Sequence, residues 1–199
     1  MAKLGLKAMV AAVALVLVAT ATTLILTLGR AKADDPEKVD AWFARLSHAK
    51  RKTTRLHFYF HDTFSGKSPT TVRVAEAAMT KESQTLFGAV NIMDDPLTEG
   101  PEPESPLVGR AQGFYGLVGL DSMALLMDMN LVFTSPKYGS STLSILGRNP
   151  VLETSRELPI VGGTGIFRLA SGIATAKTYF LNLTSGDAIV EYNVVAMHY

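Results

Sequence analysis

Asp62 is the residue whose type and position most clearly allow chemistry. It follows Leu56, Phe58 and Phe60 at every second position, and residues two apart on a strand share a face. A carboxyl at the end of such an apolar row lies either at a wet rim or inside a cavity, where desolvation raises its pKa and suits it to acid–base catalysis. The alternative is an ordinary strand-end aspartate that starts a turn. The residues alone leave both interpretations open.

Other polar residues give weaker indications of a functional site. Tyr115 lies between two glycines, where a phenol could hydrogen-bond an aromatic ligand or simply pack in the core. His57 and His61 would be ~13 Å apart on a strand, too far to bind one metal ion. The glycine-rich run 162–165 is not followed by Lys-Ser or Lys-Thr, so it predicts a tight turn and no phosphate loop.

The acidic pair Asp94-Asp95 precedes Pro96 in a stretch, 94–107, that is rich in proline and acids. Adjacent strand residues point to opposite faces, so the pair is not automatically a catalytic dyad. We interpret it as a solvated strand end and the whole stretch as a loop.

The surrounding elements are almost all strands. Apolar, β-branched and aromatic residues alternate along runs separated by Gly, Pro, Asn and Asp, a pattern typical of antiparallel strands. About eight such strands can close into a barrel or stack into a sandwich, and a closed barrel can hold one small ligand. The predicted strands span 55–62, 71–79, 85–93, 108–117, 123–134, 141–148, 165–180 and 187–199.

Residues 1–33 have the features of a secretory signal: Lys3 and Lys7, an uncharged apolar run, and then Ala31-Lys32-Ala33. The alternative is an uncleaved membrane anchor.

Residues 1–33 hold four of the 19 basic groups and none of the 18 acidic ones, so the rest of the chain carries a net charge of −3. That charge gives no electrostatic reason to bind nucleic acid, and the lack of cysteine excludes disulfides. We expect a signal peptide over 1–33, a short helix or arm over 34–54, a strand-rich domain over 55–199, and glycosylation at the sequon of Asn182.

Several blocks together resemble the plant dirigent proteins. They are LHFYFHDTFSG from Leu56, DDPLT from Asp94, GRAQGFY from Gly109, STLSILGRNP from Ser141 and ELPIVGGTG from Glu157, with VEYN and the terminal His-Tyr closing the chain. The resemblance covers nearly all of residues 55–199. It implies an all-β fold: an eight-stranded antiparallel barrel of the dirigent and allene oxide cyclase type, assembled as a homodimer or homotrimer.

The resemblance also implies a function. Members are secreted cell-wall glycoproteins that guide stereoselective coupling of phenoxy radicals, for example from coniferyl alcohol, in lignan formation. A separate laccase or peroxidase supplies the radicals, so no cofactor or metal is implied. Some relatives instead cyclise quinone methides. Asp62 takes the place of the acid, and Phe60 and Tyr115 take places in the substrate pocket.

Among the departures from the family pattern, two replace charged residues. Lignan-forming members commonly have a second Asp where this chain has Ile166, and an Arg where it has Ser171. We therefore expect a less polar pocket, with Ile166 and Ser171 among its substrate contacts. Three hypotheses follow: a guide for radical coupling, a cyclising enzyme with Asp62 as acid, and a carrier of small apolar or phenolic ligands.

Overall fold

A computed structural model describes residues 36–199. The predicted signal peptide lies outside these residues. A short helix, α1, spans Pro36–Ala44, and nine strands follow. Within the described part of the chain, no helix is long and apolar enough to cross a membrane. The strands are β1 Lys52–Asp62, β2 Thr71–Ala75, β3 Val90–Thr98, β4 Leu107–Leu117, β5 Leu125–Phe133, β6 Thr142–Asn149, β7 Arg156–Gly163, β8 Ser171–Leu181 and β9 Ala188–His198.

The strands form one antiparallel sheet in the order β1-β9-β8-β7-β6-β5-β4-β3-β2. An additional pairing between β1 and β3 closes this sheet into a barrel. β3 pairs with β2 near its start and with β1 near its end, so β1 and β2 share one position in the ring. The barrel therefore has eight strand positions, which confirms the predicted fold class and decides between barrel and sandwich.

The barrel interior is packed by the alternating residues that the sequence pattern places on one face. Phe58 and Phe60 on β1 are 1% and 3% exposed, and Met127, Met129 and the residues that continue their row on β5 are equally buried. The ring of Phe58 stacks on that of Tyr192 with centroids 5.7 Å apart. This aromatic and aliphatic packing fills the middle of the barrel and leaves space at one end.

The predicted loop over 94–107 is wrong for its first five residues, because β3 continues to Thr98. Proline is tolerated in β3 because of where its neighbours β1 and β2 pair with it. β2 pairs with β3 only as far as Met93, and β1 pairs with it only from Leu97. Pro96 lies in the gap between these two neighbours, where no partner strand requires its missing N–H.

The sequence pattern also missed β7, whose Pro159 and paired glycines indicated a turn. Its first half pairs with β8 alone, and its pairing with β6 begins only at Ile160. Pro159 faces β6 at Gly147, where an added Cβ would lie 2.7 Å from the proline ring. The glycine on β6 thus makes room for a proline inside the sheet.

Candidate active site

The interior cavity lies at the end of the barrel where β1 and β4 end and β3 and β5 begin. Its volume is about 390 Å³, within the usual range for small-molecule pockets. Most of its wall is apolar, and its polar groups are few and come from different strands. The residues of the wall that carry the chemistry are Asp62, Asn91, Tyr115, Asn149, Arg156 and Thr178.

Asp62 is the last residue of β1, and its carboxyl faces this cavity. Tyr115 on β4 donates a hydrogen bond from its hydroxyl to Asp62 Oδ2 over 2.8 Å. The other oxygen, Oδ1, is buried and receives no hydrogen bond from the described residues. Burial raises the pKa of Asp62 to about 6, although the hydrogen bond from Tyr115 acts in the opposite direction. Near neutral pH the carboxyl can therefore both hold and release a proton.

A second carboxyl, that of Asp95, is packed behind the first. Asp95 on β3 is fully buried, and the hydroxyl of Thr71 lies 3.2 Å from each of its oxygens. Burial is the main cause that raises the pKa of Asp95 to about 8, and the negative charge of Asp62 raises it further. The charge on Asp62 thus affects the protonation of Asp95, and the two carboxyls titrate as a coupled pair.

The structure corrects our interpretation of Asp94-Asp95 as a solvated strand end. The two side chains do point to opposite faces, as adjacent strand residues must. Asp94 is exposed and pairs with Arg110 on the outer surface, whereas Asp95 is in the interior. The alternation of Asn91, Met93 and Asp95 was a usable signal, but the proline that follows them made the segment resemble a loop.

The opposite wall of the cavity carries a buried cation, Arg156, which is 3% exposed. Its guanidinium donates to Asn149 Oδ1 over 3.1 Å, to Thr178 Oγ1 over 2.8 Å and to the carbonyl of Glu153 over 3.3 Å. These partners are neutral, so they orient the charge without cancelling it. Burial lowers the pKa of Arg156, yet a guanidinium stays protonated in proteins. Sequence reasoning missed this residue because it begins β7, the strand that was not predicted.

Asp187, between β8 and β9, connects two turns at the mouth of the cavity. Its carboxylate accepts hydrogen bonds from the backbone of Phe64 and Ser65 and from the hydroxyls of Ser65 and Ser185. These bonds, led by the Ser65 hydroxyl, lower the pKa of Asp187 to about 2. They join the turn after β1 to the turn before β9. Asn182 is exposed on this rim, and its glycosylation stays a prediction.

The predicted site residues are placed in two groups. Phe60, Asp62 and Tyr115 all line the cavity. Ile166 and Ser171 are not part of its wall: Ile166 is 43% exposed, and the Ser171 hydroxyl accepts a hydrogen bond from Arg51. The cavity wall nevertheless holds a charged donor, because Arg156 comes from a different strand.

The two histidines on β1 have separate partners. His57 contacts Glu191 on the surface, and His61, on the same face of β1, is buried and hydrogen-bonded to Thr98. Among residues 36–199, no group of three or more His, Asp or Glu side chains is arranged to hold a metal ion. What the cavity offers chemically is a proton donor at Asp62, a phenol beside it, and a fixed positive charge on the opposite wall.

Comparison with known proteins gives consistent results. A family model described as "Dirigent-like protein" matches residues 53–197. Dirigent protein 21 of Arabidopsis thaliana is 54% identical over 76% of this chain and 80% of its own length. Pterocarpan synthase 1 of Glycyrrhiza echinata is 49% identical over 77% of this chain and 82% of its own. A solved structure of a pterocarpan synthase dirigent protein, 51% identical, superposes with a TM-score of 0.71 over 74% of this chain and 96% of its own.

Proposed function

This chain belongs to the dirigent family, and from that premise we propose that it directs the stereoselective ring closure of a phenolic quinone methide, with Asp62 as the proton donor. The observation that carries the proposal is the position of the Asp62 carboxyl. It faces a largely apolar cavity, it is hydrogen-bonded by Tyr115, and its pKa is raised to about 6.

Two redox-neutral steps in this chemistry need an acid. When a para-hydroxybenzyl alcohol loses water, the leaving hydroxyl takes up a proton and the phenol releases one. When a hydroxyl of the same molecule then attacks the methide carbon, the carbonyl oxygen takes up a proton and the attacking oxygen releases one. Asp62 donates its proton to the leaving hydroxyl in the first step and recovers one from the attacking hydroxyl in the second, so the acid is restored and no oxidant is required. A positioned acid typically accelerates such steps 10²- to 10⁴-fold, as an order-of-magnitude estimate.

The remaining cavity groups supply orientation. Tyr115 holds Asp62 Oδ2, and Oδ1 is left as the oxygen without a hydrogen bond from the described residues. Arg156 on the opposite wall provides a charged donor for an oxygen at the far end of the substrate. Held at both ends between apolar walls, the intermediate presents one face to the attacking hydroxyl, and this restriction selects one enantiomer. Relatives that are named pterocarpan synthases support a ring-closing activity of this kind.

The second candidate is guidance of phenoxy radical coupling, with radicals from coniferyl alcohol supplied by an external laccase or peroxidase. The same cavity favours it, because coupling of two such radicals also gives a quinone methide that must close a ring. A carrier of apolar ligands fits less well, since Asp62 and Arg156 are charged groups that a purely apolar cargo would leave without partners. Secretion and assembly as a homodimer or homotrimer stay predictions from the family.

The two candidates are separated by supplying two precursors in parallel. The first is a racemic para-hydroxybenzyl alcohol that carries a phenol able to close an ether ring, given without oxidant. The second is coniferyl alcohol with a laccase. We expect an enantiomeric excess with the first precursor, measured by chiral chromatography, that depends on the protein. Excess in the laccase arm alone would favour the second candidate, and racemic product in both arms would contradict a stereo-directing role.

A further inference from the structure

A buried amide in the cavity wall has no role in the proton chemistry described above. Asn91 on β3 is 1% exposed and lines the same cavity as Asp62. Its Oδ1 receives no hydrogen bond from the described residues. A buried acceptor left without a donor is destabilising, so the position is unfavourable for the protein unless a ligand or solvent donor meets it.

The register of the sheet places this amide beside the acid. Asn91 on β3 is directly opposite Tyr115 on β4, and directly opposed side chains in an antiparallel pair have their Cβ atoms about 5 Å apart. The hydroxyl of Tyr115 in turn donates to Asp62. Asn91, Tyr115 and Asp62 therefore line neighbouring parts of the same cavity wall.

We propose that Asn91 is a substrate-binding residue whose carbonyl accepts a hydrogen bond from a free hydroxyl of the phenolic substrate, and that it selects free phenols over their methyl ethers. A hydroxyl can donate to Oδ1, whereas a methoxy oxygen has no hydrogen to give. Binding a methyl ether would leave the buried amide carbonyl without a donor, which is how hydrogen-bonding sites reject analogues that lack a donor. The inference rests on the proposed function only in taking the occupant to be phenolic.

The test is equilibrium binding of three unreactive probes: trans-4,4′-dihydroxystilbene, its monomethyl ether and its dimethyl ether. Each is titrated into wild-type protein and into Asn91→Leu, a variant of similar side-chain volume without the amide. We expect wild type to prefer the diol over the dimethyl ether, and this preference to fall at least about tenfold in Asn91→Leu. Affinity for the dimethyl ether should stay the same or increase, because the variant removes an unpaired polar group.

Thermal unfolding separates ligand recognition from a structural role. An amide without a protein donor contributes no hydrogen bond through its carbonyl, so Asn91→Leu should unfold at or above the wild-type temperature. If Leu proves too bulky and the variant misfolds, Asn91→Ala is titrated with the same probes. The matched control is Asn130→Leu on the exposed face of β5, which should leave the preference among the probes unchanged.

Two negative outcomes are distinguishable. An unchanged preference in an Asn91 variant that still binds the probes overturns the role of Asn91 and leaves the proposed function intact. Failure of wild type to bind any of the three probes contradicts the phenolic cavity itself, and both proposals are then wrong.

Discussion

Replacement of Asp62 by Asn is expected to reduce the ring-closing rate at least about 100-fold while the barrel remains folded. Asn keeps the shape of the carboxyl and can still accept the hydrogen bond from Tyr115, but it cannot donate a proton as an acid. The lower end of the range for general acid catalysis, about 10²-fold, sets the expected loss. The rate is measured by product formation from the para-hydroxybenzyl alcohol, and the fold is checked by circular dichroism.

The matched control for this variant is Asp128→Asn on β5. Asp128 lies next to the buried Met127 in sequence and therefore points to the outer surface of the barrel. It undergoes the same chemical change without altering the cavity, and we expect its rate to stay near that of wild type. Full activity in Asp62→Asn would rule out this carboxyl as the acid.

Replacement of Asp95 by Asn is expected to make the protein more stable at alkaline pH. The pKa of Asp95 is about 8 in the folded protein and about 3.9 in an unfolded chain. Between these values the folded state binds the proton more tightly, so the wild-type free energy of unfolding falls as pH rises from about 4 to about 8. The amide of the variant stays neutral at every pH and removes this dependence. We expect the variant to exceed wild type by more than about 1 kcal/mol at pH 8 and to differ little at pH 4.

Urea unfolding at a series of pH values measures this difference, and Asp94→Asn is the control. Asp94 is adjacent to Asp95 but lies on the outer face, where it forms an ion pair with Arg110. Exposed pairs contribute about 0–1 kcal/mol, so its loss should lower stability slightly. A stability curve for Asp95→Asn that runs parallel to wild type from pH 4 to pH 8 would show that Asp95 titrates like an ordinary surface acid.

The part of the site that could be predicted from sequence is the part that depends on local periodicity. Phe58, Phe60 and Asp62 are two residues apart, and this spacing alone places all three side chains on one face of β1. The same spacing is enough to locate the acid at the end of an apolar row. What periodicity could not show was the other wall of the cavity, or which oxygen of the carboxyl is held by a partner.

The missed residues belong to strands that proline obscured. Asp95 precedes Pro96, and Arg156 is three residues before Pro159. Both prolines lie at positions in the sheet where no neighbouring strand needs a backbone N–H donor. Such positions depend on where neighbouring strands begin and end, which is a property of the closed barrel. Long-range pairing also brings Asn91 to Tyr115, and nothing in the spacing of these two residues predicts the contact.

The pH dependence of the ring-closing rate tests most directly the claim that Asp62 is the proton donor. The rate constant with wild-type protein is measured from pH 4.5 to pH 8.5, and the rate with Asp62→Asn at each pH is subtracted to remove the background reaction. The pKa of about 6 predicts a constant rate at low pH and, above about pH 6.5, a fall approaching tenfold per pH unit as the carboxyl ionises. A rate that is constant across this range, or that increases with pH, would contradict the assignment of Asp62 as the acid.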